Sequence, residues 1–201
     1  MKKIIPLFSY LFHPVFIPVM ATFFYILYKD AAFESKEKYF IFFQTIMFTL
    51  FIPILLFLLL RSIGKINSIM MGEISQRKIP LILQCFLVVF LVRRSITLAT
   101  YPELHFFLLA ALLSIMVALL LLFVNVKTSL HMMAISGLTV FVFALGKHLN
   151  IQNHYTVGVL ILITGCVAFS RLEMKAHTPR ELYIGFFLGV VPQVVFAYLW
   201  L

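Results

Sequence analysis

Seven apolar runs divided by short polar stretches set the frame of this chain. Residues 6–28, 39–60, 79–101, 104–126, 129–149, 155–169 and 182–201 are dominated by Phe, Leu, Ile and Val. Most approach the roughly 20 residues that a helix needs to cross a bilayer core. With connections this short they predict an all-α, polytopic transmembrane helix bundle of about six or seven spans. Nothing in the pattern marks a second domain, so residues 1–201 read as one integral membrane domain.

Several positions modulate this frame. Pro14 and Pro18 each remove a backbone donor, so the first run must kink or have an irregular first half. His13, just before that kink, reads as an interfacial side chain satisfied by a neighbour. Pro53 lies in the latter half of the second run, and Pro80 is expected to open the third helix, since proline suits a first turn. Arg93 and Arg94 interrupt the third run about 14 residues in, a rise of roughly 21 Å against a core of roughly 30 Å. They either snorkel to the far interface or face a polar cavity. Gly137 and Gly146 are close-approach points, and Gly185 and Gly189, four apart, give a small-xxx-small packing face. Tyr198 and Trp200 suit an interfacial aromatic anchor.

Three polar connections matter for function: residues 61–78, 125–131 and 170–181. Successive ones are separated by two crossings, so all three face the same side. Arg77 and Lys78 close the first, where interfacial snorkelling and phosphate binding are both open readings. In the second, Lys127 and His131 are four apart and would share a face if the stretch opens a helix. Ser129 caps such a helix, and free backbone N–H groups at its start attract phosphate. In the third, His177 and Glu181 are also four apart. A helix beginning near Pro179 brings the carboxylate to one imidazole nitrogen, fixing the tautomer and leaving the other nitrogen basic.

Composition narrows the chemistry. At 63% hydrophobic and 11% charged, with 23 Phe and a mean hydropathy of +1.09, the chain is no soluble domain. Its formal charge of +9 is dispersed over connections, which fits anionic headgroups or a phosphorylated substrate and not nucleic acid. Cys85 and Cys166 sit inside apolar runs and read as small core residues. The start, Met1-Lys2-Lys3 followed by apolar residues, mimics a signal peptide but lacks a small-residue cleavage site, and reads as the first membrane segment. No carboxylates and histidines stand at metal-ligand spacing, so no metal and no cofactor is expected. The inventory is His177 as nucleophile, His131 as acid or base, and Arg171 with Lys127 as an oxyanion clamp; it best serves metal-free phosphoryl transfer.

The same residues carry a resemblance. Ser170-Arg171, five residues, His177, three residues, Glu181, then Gly185 and Gly189, resembles the third signature of the type 2 phosphatidic acid phosphatase superfamily, Ser-Arg-x5-His-x3-Asp, with Glu181 where Asp is usual. Lys127-Thr-Ser129-Leu-His131 is similar to the second signature, Pro-Ser-Gly-His. The first, Lys-x6-Arg-Pro, has only a degenerate counterpart in Arg77-Lys78-Ile79-Pro80. The resemblance covers about residues 73–189.

It implies a lipid phosphatase in which His177 attacks phosphorus, oriented by Glu181, while His131 protonates the leaving oxygen and later activates water. Arg171, Ser129, Lys127 and one of Arg77 or Lys78 would hold the phosphoryl oxygens. The implied substrate is a lipid phosphate or a polyprenyl diphosphate, within a bacterial inner membrane. A non-catalytic lipid-binding member of the same fold and a small anion or lipid transporter are the alternatives.

Orientation is where two arguments diverge. The side with the three connections holds ten of the 16 Lys and Arg residues and the other holds six, which by the positive-inside rule is cytoplasmic. Setting aside Arg77, Lys78, Lys127 and Arg171 as phosphate ligands leaves six on each side. The resemblance implies the extracytoplasmic face.

Overall fold

The computed structural model describes residues 5–66 and 74–201; Lys2, Lys3 and residues 67–73 of the first polar connection, which enter the readings above, lie outside them. Among the described residues the regular structure is helical: α1 (Ile5–Leu11), α2 (Ile17–Tyr28), α3 (Ser35–Ile46), α4 (Ile52–Ser62), α5 (Ile74–Arg94), α6 (Pro102–Phe123), α7 (Leu130–His148), α8 (His154–Glu173) and α9 (Pro179–Ala197). Among the described residues, five helical stretches are long and apolar enough to cross a membrane: Ser35–Ser62, α6, α7, α8 and α9. The many outward Phe, Leu and Ile side chains, such as Phe86, Leu120 and Leu162, suit a lipid-facing surface.

Each proline leaves a local mark. The first run is two helices with a break at residues 12–16, as Pro14 and Pro18 require. Pro53 has no N–H to give the carbonyl one turn back, and α3 passes into α4 through a π turn at Met47–Phe51. Pro80 differs from expectation: α5 is already helical from Ile74, so Pro80 is an interior residue and not the helix start. Its neighbours Arg77 and Lys78 therefore belong to the helix. In α9, Pro192 frees the carbonyl of Leu188, and the Ser114 hydroxyl of α6 donates to that oxygen at 2.7 Å. Satisfying a proline-freed carbonyl from a neighbouring helix is what an apolar interior demands.

Contacts at the helix ends fix the direction of each element. At one end of the bundle, Arg77 of α5 meets the carbonyl of Thr128, Lys78 lies over Phe123 at the close of α6, and the backbone N–H of Ser129 bonds the Glu181 carbonyl. At the other end, Lys29 bonds both carboxylate oxygens of Glu103 at 2.8 and 3.1 Å, Tyr25 donates to Glu103, and His148 lies beside both Glu103 and Trp200. Tyr101 reaches Glu37 there, and His105 reaches the Ile96 carbonyl. Arg93 and Arg94 are exposed in the last turn of α5 at this second end, so they do not line a polar cavity.

The helices α7 and α9 pack backbone to backbone. A Cβ at Gly185 would run into the Ser129 carbonyl, and one at Gly189 into the Met133 carbonyl and the Ser136 hydroxyl. Ser136 donates to the Phe186 carbonyl at 3.0 Å across the same seam. This close approach lays the start of α9 against the start of α7 and so brings the second and third polar connections together.

Candidate functional site

The connection between α8 and α9 builds the first wall. Ser170 and Arg171 lie in the closing turns of α8, and Lys175 adopts a φ of 50°, reversing the chain before the next helix. Thr178 then caps α9, its hydroxyl accepting from the Glu181 N–H at 3.4 Å with Pro179 in the first turn. His177 stands just outside that helix, and its Nδ1 lies 2.6 Å from Glu181 Oε2. An ionised carboxylate only accepts, so Nδ1 carries the proton and Nε2 keeps its lone pair. The His177 side chain is only 2% exposed. Burial pushes its affinity for a second proton below the ordinary value; Glu181 opposes that, and the charges of Arg171, Arg77 and Lys127 add to it.

Arg171 is buried, at 5% exposure, with no hydrogen-bond or ion-pair partner among the described residues; its Nε is fully enclosed. A buried guanidinium without a counter-charge is expensive, and the group that best satisfies its planar fork is a carboxylate or a phosphate.

The start of α7 forms the second wall. Asn125 takes a φ of 60° after α6, and Ser129 caps α7, its hydroxyl accepting from the Met132 N–H at 3.4 Å. Because α7 begins at Leu130, Lys127 precedes the helix and the expected shared helical face of Lys127 and His131 does not form. Lys127 instead donates to the Ala176 carbonyl at 3.1 Å, tying the two connections together. Burial and the neighbouring Arg77 charge lower its proton affinity. His131 places Nε2 3.2 Å from the Ser9 carbonyl, so that nitrogen donates and Nδ1 is the one left over.

A cavity of about 570 Å³ joins these parts. Arg77, His131, Arg171 and His177 line it, with Glu181 behind His177. His13 and Arg61, with Ser9, Tyr10, Gln84, Ser114 and Gln193, add polar groups, and the remaining wall is apolar, from Pro53 and Phe57 of α4 through Leu81 and Val88 of α5 to Phe107 and Leu108 of α6. Ser129 is fully buried as a cap and Lys127 is spent on a carbonyl; neither lines the cavity. Lys78 does not line the cavity, its ammonium lying 4.6 Å from the centre of the Phe123 ring. Of the first connection, then, Arg77 reaches the site and Lys78 does not. Among the described residues no three His, Cys, Asp or Glu side chains are grouped to hold a metal ion.

The N-terminal segment is the contributor that sequence reasoning missed. The Ser9 hydroxyl lies 2.6 Å from that of Ser170, its carbonyl holds His131, and His13 packs edge-on against His131 with ring centres 4.9 Å apart. A signal existed in the two prolines, because irregular backbone within an apolar run is tolerated where it lines a cavity. Neither known protein families, nor curated proteins, nor solved structures include a match to this chain.

Proposed function

We propose that this chain is an integral membrane phosphatase that removes a phosphate from a lipid phosphate or diphosphate, without a metal, through a phosphohistidine on His177. One observation carries the reading. A buried guanidinium with no hydrogen-bond or ion-pair partner among the described residues, Arg171, shares a cavity with an imidazole whose Nδ1 is committed to a carboxylate and whose Nε2 retains its lone pair. An anion site beside an oriented nucleophile is what phosphoryl transfer requires.

Arg171 and Arg77 hold the phosphoryl oxygens, and the apolar wall between α4, α5 and α6 takes the hydrocarbon chain. His131 faces the bound phosphate and carries a proton at Nδ1 while Nε2 stays on the Ser9 carbonyl. Nε2 of His177 attacks phosphorus, the bond from phosphorus to the lipid oxygen breaks, and His131 gives its Nδ1 proton to that oxygen. Water then attacks the phosphohistidine, His131 recovers a proton from it, and phosphate leaves His177. Ser129 and Lys127 support this arrangement by fixing the start of α7 and the α8–α9 connection, not by touching the substrate.

In this reading α2 and α5 complete the crossings of the five longer stretches, for seven in all, in a bacterial inner membrane with the site at the extracytoplasmic face. The test is inorganic phosphate released by purified protein from a panel of lipid phosphates and polyprenyl diphosphates. Release is expected from at least one, blocked by vanadate, and lowered at least about 10³-fold in His177→Ala, the scale on which removing a nucleophile acts. Undiminished turnover by that variant overturns the assignment. A non-catalytic lipid-binding role draws on the large apolar share of the cavity wall; lipid phosphates that bind but release no phosphate would select it.

A further inference from the structure

His13 is the one cavity-lining imidazole that the proposed reaction leaves without a role. It stands in the break between α1 and α2, where the backbone leaves the helical path and its ring enters the same cavity as His131, Arg171 and His177. Its ring meets that of His131 at 88°, so the two are packed as a pair and do not compete for one position. The ring is also held at one nitrogen. The backbone N–H of Val15 approaches His13 Nδ1 at 3.4 Å, which makes Nδ1 the acceptor and leaves the proton on Nε2. The segment that carries it is anchored on both flanks. Ser9 is tied to Ser170 beside Arg171, and the turn closes on bonds from Phe16 to His13 and from Ile17 to Pro14.

We infer that His13 is a further anion-binding residue of this site, its Nε2–H donating to a phosphoryl oxygen held by Arg171. The inference rests on the phosphatase reading only in its choice of site; it concerns binding of the anion and not the chemical step. It also gives the proline-broken first segment a purpose. Irregular backbone lets a residue of the first run point inward at the level of the α7 start, where a continuous helix would present its side chains along one fixed spiral.

The experiment is calorimetric titration of the purified full chain with inorganic phosphate. His13→Phe keeps an aromatic ring against His131 and removes the N–H, whereas His13→Gln keeps a donor at nearly the same reach. Phosphate affinity is expected to fall about tenfold or more in His13→Phe, the size of one hydrogen bond to a charged group. In His13→Gln it should stay within about threefold of the parent, a residual smaller than one such bond. Thermal unfolding of each variant reports whether it folds, and Arg171→Ala serves as the control that loses binding altogether. Equal affinity in the parent and His13→Phe overturns the role of His13 while leaving the phosphatase reading intact. A loss shared equally by His13→Phe and His13→Gln also overturns it, since packing and not the donor would then be responsible. A parent chain that binds no phosphate overturns both.

Discussion

The Ser9 and Ser170 hydroxyls lie 2.6 Å apart although 161 residues separate them in the chain. Ser170 adjoins Arg171 at the end of α8, and Ser9 lies in α1, so this contact fastens the N-terminal segment onto the most polar part of the bundle. The Ser9 carbonyl meanwhile occupies Nε2 of His131. One residue of the first run therefore positions groups from two of the three polar connections to which the site was assigned.

The pair of His177 and Glu181 sets the acid side of any activity. In the proposed reaction His177 must be neutral to attack, and its proton affinity lies below the ordinary value of 6.5, so the acid limb of the rate profile is expected below pH 6.5. Glu181 is the influence that raises that affinity, so Glu181→Gln is expected to move the limb to still lower pH while reducing the maximal rate, because the ring loses its orienting charge. The stability linked to this group has the same sign. It is present above pH 6.5 and is lost as the pH falls toward the lowered folded value, where the unfolded chain takes the proton first. Rate profiles of the parent and the variant check this; a limb that moves upward in Glu181→Gln contradicts it.

Ser114 lines the cavity, and its hydroxyl also bears on stability. Its hydroxyl satisfies the Leu188 carbonyl that Pro192 leaves without a donor. Ser114→Ala is expected to cost about 1–3 kcal/mol, the penalty for a buried unsatisfied acceptor. Adding Pro192→Ala, which restores the N–H within α9, is expected to recover much of that loss. Thermal unfolding in detergent of the single and double variants measures both.

The seam between α7 and α9 predicts a contrast between two glycines. Gly189→Ala would drive a methyl group into the Met133 carbonyl and Ser136, and is expected to destabilise by about 1–3 kcal/mol. Gly158→Ala in α8 meets nothing within 4 Å, so its unfolding temperature should stay level or rise slightly. If the two behave alike, the seam is not close-packed in the way described.

Orientation follows from the two ends of the bundle. In a background with Cys85→Ser and Cys166→Ser, a cysteine at Lys65 reports the site end and one at Asn150 reports the other. An extracytoplasmic site makes Lys65→Cys reactive to an impermeant maleimide in intact cells, with Asn150→Cys reactive only after permeabilisation. The reverse pattern places the site in the cytoplasm.

Much of this protein is determined by its sequence alone, since burying apolar helices is forced on a chain this hydrophobic. The runs, their short connections and the parity of crossings already place Arg77, His131 and His177 at one end. Local rules foretell a helix beginning near Pro179 and the four-residue reach from Glu181 to His177, while the Thr178 cap came from the structure. Other features depend on packing between segments remote in sequence, which no local rule encodes. The close approach of α7 and α9 commits Ser129 to capping, the carbonyl of Ala176 takes the ammonium of Lys127, and the Phe123 ring draws Lys78 away. The same long-range packing brings Ser9 and His13 to His131, where the break that two prolines make in the first run lies against the polar cavity.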